Sequence, residues 1–146
     1  MYMNQDLFKN TQVINLTDKD FVLDGDQPKL KNSEFKGNDG YIMAYAEWCP
    51  NCQNKVPFWS FLADKFNADQ NQKFKIGVIS TTDQRAKKIV DELNIEFIPR
   101  FMHVTPSGNH GILSEFKGAD HSPESLLSEV CQQKHKLCQF KYDVDA

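Results

Sequence analysis

The order of apolar runs and amphipathic stretches along the chain predicts an α/β fold, a central mixed sheet with helices on both faces. Three observations point to it. A β-α-β-α-β succession is followed by β-β-α, with no internal repeat and no low-complexity tract. The run Tyr41-Ile42-Met43-Ala44-Tyr45-Ala46 is apolar at both alternating sets of positions, as a strand must be when helices cover each side of it. Hydrophobic residues make up 40% of the chain, with eleven Phe, and 146 residues of that composition can bury a core without disulfide staples.

Residues 13–16 read as the first strand, and Thr17-Asp18-Lys19-Asp20-Phe21 follows with a capping side chain and early acids, which predicts a helix start. Residues 24–40 are polar and contain Gly25, Pro28, Gly37 and Gly40. Only Leu30 and Phe35 there can anchor to a core, so a loop with at most one helical turn is expected. Strand 41–46 then runs straight into Trp48-Cys49-Pro50-Asn51-Cys52. Over residues 50–66, Val56, Trp59, Leu62, Ala63 and Phe66 recur at helical spacing, and Pro57 is expected to kink that helix.

Residues 73–80 predict a strand with Phe74, Ile76 and Val78 on one side. Thr81-Thr82-Asp83-Gln84 opens a helix carrying Ala86, Ile89, Val90 and Leu93. Residues 101–104 and 112–116 flank Pro106-Ser107-Gly108-Asn109, the composition of a turn between antiparallel strands. Ser122 and Pro123 start a last helix whose stripe is Leu126, Leu127, Val130 and Cys131. One domain over residues 1–146 is expected, with a core at about 12–134, a polar insertion at 24–40 and a C-terminal tail at 135–146.

The 17 basic and 20 acidic side chains are spread along the chain, for a net charge of −3, so no surface for nucleic acid or anionic lipid is evident. No run approaches the roughly 18 apolar residues of a membrane span. The start Met1-Tyr2-Met3-Asn4-Gln5-Asp6 has neither the basic nor the apolar part of an export signal. A cytoplasmic monomer is therefore expected. Four cysteines in such a protein indicate catalysis or metal before structural disulfides, because reducing compartments keep scattered thiols reduced.

Cys49 and Cys52, three residues apart, serve zinc or redox exchange equally well by spacing alone. Their position separates the two. The pair sits where a buried strand enters a helix, so Cys49 falls at the helix start and Cys52 about one turn on, within roughly 5–6 Å at Cβ. That is close enough for a disulfide to open and close with little backbone movement. The unpaired amides of the first turn favour thiolate at Cys49 and make it the expected nucleophile, facing solvent while Cys52 lies on the covered side. Pro50 fits the first helical position, where its missing N–H has no partner to lose. A zinc site completed by Cys131, His135 or Cys138 is the weaker reading, since no second short-spaced pair exists. His103, His110, His121 and His135 lack ligand spacing. Cys131 and Cys138 are too far apart along a continuous helix for a disulfide and read as a small core residue and a tail thiol, with a regulatory disulfide as the alternative if the helix ends between them.

Ala46-Glu47-Trp48-Cys49-Pro50-Asn51-Cys52, with Pro57 beyond it, resembles the active-site segment of thioredoxins and protein disulfide isomerase domains. Ile98-Pro99 matches the family's cis-proline, which faces the cysteine pair, and Gly118 matches a glycine after the last strand. Leu16-Thr17-Asp18-Lys19-Asp20-Phe21 is similar to the family's first strand-to-helix step, and the resemblance covers roughly residues 12 to 134. The chain departs from the family in four places. Met43 stands where many thioredoxins bury an acid, and Arg100 follows the proline where a small or β-branched residue is usual. Its charge can lie near the pair or point away. Pro50-Asn51 replaces the usual inner dipeptides, and residues 24–40 form a longer segment.

The resemblance implies a thioredoxin-like fold and a thiol–disulfide oxidoreductase acting on disulfide-containing client proteins. Cys49 attacks, Cys52 resolves, and Trp48, Pro50, Ile98 and Pro99 contact the client. No cofactor is implied, and a separate reductase or oxidase recycles the pair. The alternative is a thioredoxin-like binding or scaffolding module whose thiols turn over little.

Overall fold

The structure, a computed structural model, describes residues 7–23, 25 and 27–115. In chain order its elements are β1 (Ile14–Leu16), β2 (Phe21–Val22), β3 (Lys29–Leu30), β4 (Asp39–Tyr45), α1 (Pro50–Phe66), β5 (Phe74–Ser80), α2 (Lys87–Glu92), β6 (Arg100–Ser107) and β7 (His110–Glu115). Among the described residues the strands make one sheet in the order β1-β5-β4-β6-β7-β3-β2. β5 runs parallel to both β1 and β4, whereas β4–β6, β6–β7, β7–β3 and β3–β2 are antiparallel pairs. The sheet is therefore mixed. The parallel β4–β5 pair requires a crossover, and α1 supplies it.

Alternation along the central strands divides the core in two. Tyr41, Met43 and Tyr45 of β4 join Phe74, Ile76 and Val78 of β5 on one face, where Phe58, Trp59, Leu62, Ala63 and Phe66 of α1 cover them. Ile42, Ala44 and Ile79 point to the other face, against Ile14, Leu16, Met102, Val104, Leu113 and Ile89 of α2. The buried indole of Trp59 donates to the Gly77 carbonyl at 3.0 Å, so the largest side chain of the core leaves no polar atom stranded.

Polar side chains tie the helix ends to other parts of the chain. Lys75, buried in β5, donates from Nζ to the Phe66 carbonyl at 3.1 Å, the last residue of α1. The Asn67 side chain accepts from Ile76 N–H and donates to the Ile76 and Gln12 carbonyls, extending β5 pairing before β1 begins. The Asp18 carboxylate accepts from Ile89 N–H at 2.8 Å and caps the start of α2. Such partners are required because the first amides and last carbonyls of a helix have none within it.

Three expectations need correction. Residues 17–21 do not begin an α-helix: Asp18–Asp20 make a single 3-10 turn, and Phe21 then enters β2. The Asp20 carboxylate folds back onto Thr17 N–H at 2.9 Å and accepts from Asn32 Nδ2 at 3.0 Å, which ties the turn to the next segment instead of extending it. Nor is 24–40 only a loop, since β3 lies within it and β4 begins at Asp39. Lys29 and Leu30 pair with both β2 and β7, and Phe35 is buried over Gly40 and Gly77, whose missing Cβ atoms leave room for its ring. Leu30 and Phe35 are thus the anchors. Pro106 and Ser107 also belong to β6 rather than to the turn, which narrows to Gly108-Asn109 with Gly108 at φ +62°. The expected helix after Ser122, together with Phe116, Gly118, Cys131, Cys138, His121 and His135, lies outside the described residues.

The 24–40 segment should therefore behave as core. Phe35→Ala is expected to lower unfolding free energy by about 3–5 kcal/mol in urea titration, as truncation of a buried Phe does. A change under about 1 kcal/mol would show that its ring is not part of the cooperative unit.

Candidate active site

The register of β4 against β6 assembles the site. Ala44 pairs with Arg100 in an antiparallel ladder, so the residues that follow Tyr45 and those that precede Arg100 emerge at the same end of the sheet. The first group is Ala46 to Cys52 and the second contains Ile98 and Pro99. Ile98 packs against the apolar cluster that contains both Cys49 and Cys52. The Ile98–Pro99 peptide bond is cis.

Cys49 is the N-cap of α1, with extended backbone, and Pro50 occupies the first helical position. Its Sγ accepts from the Cys52 N–H at 3.2 Å, as a Ser or Asp oxygen does in an ordinary cap. Turning the sulfur inward has a cost in access. Cys49 is 5% exposed and Cys52 0%, so the expectation of an open thiol at Cys49 is corrected: the residue is nearly closed to solvent, with its sulfur bonded to the helix amide. The Cys52 thiol is pushed from its ordinary 9.0 up to about 12, first by burial and then by its hydrogen bond and proximity to Cys49; a backbone hydrogen bond from Ala46 opposes this.

The surroundings are apolar. Met43, fully buried, shares the cluster with both cysteines. Among the described residues the buried charged side chains are Asp20 and Lys75. Asp20 is bonded to Thr17 and Asn32, and Lys75 to the far end of α1, so neither is placed to exchange a proton with Cys52. Glu47 accepts from Thr82 Oγ1 at 2.6 Å, and Thr82 Oγ1 lies 3.3 Å from the buried Ser80 hydroxyl. Arg100 points away from the pair. Its guanidinium donates to the Leu93 carbonyl at 3.0 Å, at the end of α2, and to Glu115 at 2.8 Å.

Trp48 is 66% exposed, Pro50 is exposed, and Ile98 and Pro99 are half-buried. Sequence reasoning missed Phe97, which is 57% exposed and immediately precedes Ile98. Its signal was an aromatic between an acid and the Ile-Pro pair, where no helical or strand periodicity accounts for it. No group of three or more His, Cys, Asp or Glu suited to a metal occurs among the described residues, and no helix there is long and apolar enough to cross a membrane.

Because Cys52 holds its proton, iodoacetamide at neutral pH should label Cys49 first, and equal labelling read by peptide mass spectrometry would contradict this geometry. The raised value also predicts a pH effect on the reduced protein. Unfolded Cys52 releases its proton near 9.0, whereas folded Cys52 keeps it to about 12, so this contribution to stability is full below pH 9.0 and is lost as pH rises towards 12. Urea titrations between those limits should show a smaller alkaline loss for Cys52→Ala than for the parent.

A family model described as Thioredoxin matches residues 30–132. None of the curated proteins matches the chain. Among solved structures, the Trx4 domain of ERdj5 is 17% identical with a TM-score of 0.58, the match covering 87% of this chain and 99% of that domain. The J-Trx1 fragment of ERdj5 is 17% identical at a TM-score of 0.56; 84% of this chain is covered but only 51% of that one, so the chain spans about half of the fragment. A third match, 15% identical at 0.53 and covering 82% of this chain and 94% of that one, comes from work on the thiol resolving mechanism in yeast mitochondrial 1-Cys peroxiredoxin via glutathione/thioredoxin systems. At such identities the structures speak for the fold, and with the family match over more than half of its residues the chain belongs to the thioredoxin family.

Proposed function

We propose that the chain is a thiol–disulfide oxidoreductase that reduces or exchanges disulfides in protein clients through Cys49 and Cys52. The observation that carries this reading is the capping geometry, with the Cys49 sulfur at the start of α1 and Cys52 one turn behind it in a closed apolar pocket. The Cys49 thiolate attacks a client disulfide, forming one sulfur–sulfur bond as the other client sulfur leaves as thiolate. Cys52 then loses its proton and attacks Cys49. The client leaves reduced and the protein holds a Cys49–Cys52 disulfide, which a separate reductase returns to the dithiol, or the cycle runs backwards with an oxidase. Trp48, Pro50, Ile98 and Pro99 form the client's contact surface at the same end of the sheet. The family match to residue 132 supports taking residues 116–132 into the same domain.

Insulin reduction tests the proposal. With a small dithiol as the recycling reductant, the wild-type chain should precipitate insulin B chain faster than the dithiol alone, and Cys49→Ser should remove the acceleration. A folded wild type without acceleration would leave a binding module.

The apolar setting of Cys52 predicts that resolution of the mixed disulfide is slow near neutrality and quickens as pH rises. Met43→Asp should speed that step about tenfold or more near neutral pH, because a nearby carboxylate takes the proton during attack. The same substitution should destabilise the fold by roughly 1–3 kcal/mol. Single-turnover kinetics of the mixed disulfide across pH are the check, and identical profiles in parent and variant would make Met43 a packing residue only.

A further inference from the structure

Trp48 and Phe97 are the large hydrophobic side chains left exposed among the described residues. Scattered exposure of single apolar residues needs no explanation, but here both fall at the same end of the sheet, one in each segment that borders the cysteine pair. Trp48 directly precedes Cys49, and Phe97 directly precedes Ile98, which packs on the cysteine cluster. Exposed aromatics concentrated where chemistry occurs act as anchors, since they bury much area while fixing few torsions.

Within the two described segments that border the cysteine pair, charge has one sign. Residues 46–53 contain one acid, Glu47, and no base, and residues 94–99 contain one acid, Glu96, and no base. Each acid is the neighbour in sequence of one of the two aromatics. The nearest cation along the second segment, Arg100, is consumed by the end of α2 and by Glu115, and Arg85 is paired with Asp83 at 2.7 Å. Glu96 is exposed, with its carboxylate 3.4 Å from Asn94 Nδ2.

We infer that Phe97, with Glu96 beside it, is a specificity-determining element that selects clients whose reactive cysteine lies in an extended segment with an aromatic or large aliphatic neighbour and a Lys or Arg. This rests on the oxidoreductase reading and narrows its substrate class. An unfolded or locally opened chain presents such a segment, whereas a folded client with a polar, acidic surround does not. The near-closed position of the Cys49 sulfur strengthens the selection, because a client must settle on the rim before its sulfur can reach.

The test uses the full chain as Cys52→Ser, so that the reaction stops at the first attack, with the Cys49→Ser rate subtracted as background from the other thiols. Each probe carries one cysteine as a mixed disulfide with 2-thiopyridine, and release of pyridine-2-thione follows the reaction. One peptide has Phe and Lys beside the cysteine, a second has Ala and Glu, and the reference is the same disulfide of 2-mercaptoethanol, which is uncharged and has no flanking residues.

The Phe/Lys peptide should react at least about fivefold faster than the Ala/Glu peptide, the ratio expected when an anchor worth more than 1 kcal/mol is engaged. Phe97→Ala should reduce that ratio towards one, Phe97→Tyr should restore it, and Glu96→Gln should lower it about twofold at low salt with less effect at high salt. If the reference disulfide itself does not react above background, the oxidoreductase reading fails. If it does react but the two peptides are taken equally, or Phe97→Ala keeps the full ratio, the selectivity proposal alone is overturned.

Discussion

One hydrogen bond organises the site: the amide of Cys52 needs an acceptor, and the sulfur of Cys49 is the cap that provides it. A strand that delivers its chain directly to a helix has no room for a longer cap. Tyr45 ends β4 and Pro50 begins α1, so Cys49 falls where Ser or Asp would stand in a helix without chemistry. Placing sulfur there ties redox state to fold. In the proposed reaction the same atom that holds the helix start must leave it to meet another sulfur, and Cys52 is held neutral behind it.

The remaining helix termini follow the same requirement with different residues. Lys75 closes the end of α1 from β5, Asn67 at that end ties it to the β5 backbone, Asp18 caps the start of α2, and Arg100 closes its end. These are long-range side-chain bonds, and they explain two features that looked anomalous in isolation. A buried lysine is tolerated because its ammonium meets carbonyls at the negative end of a helix. An arginine after the proline is tolerated because it turns away from the thiols to a helix end and a carboxylate.

Long elements with a clear period were legible. β4, β5 and α1 were readable from Tyr41 to Val78 because two-sided burial and the 3.6-residue stripe leave few alternatives. The cysteine pair was legible from its place between strand and helix. β2 and β3 were not, because two-residue strands have no period and exist through pairing with each other and with β7. The helix expected after Thr17 was lost to tertiary competitors, the bond from Asn32 to Asp20 and the pairing of Phe21 with Leu30, although Asp20 and Thr17 do form the local cap that the sequence offers. Phe97 escaped because its one local signal, a place outside any helical or strand period, is weak among eleven phenylalanines that mostly fill the core. The direction of Arg100 required its partners Leu93 and Glu115, which lie on other elements.

The anchoring of Arg100 has a consequence for recognition. It is the first residue after Pro99, and its guanidinium bridges the end of α2 and the end of β7 from a position in β6. The Ile98-Pro99 segment is thereby clamped at its exit while Ile98 is packed at its entry. A surface held in this way is preorganised. A peptide that lies against it loses its own freedom on docking but does not have to order the protein as well, and the entropy thus spared appears as tighter association from the same contacts.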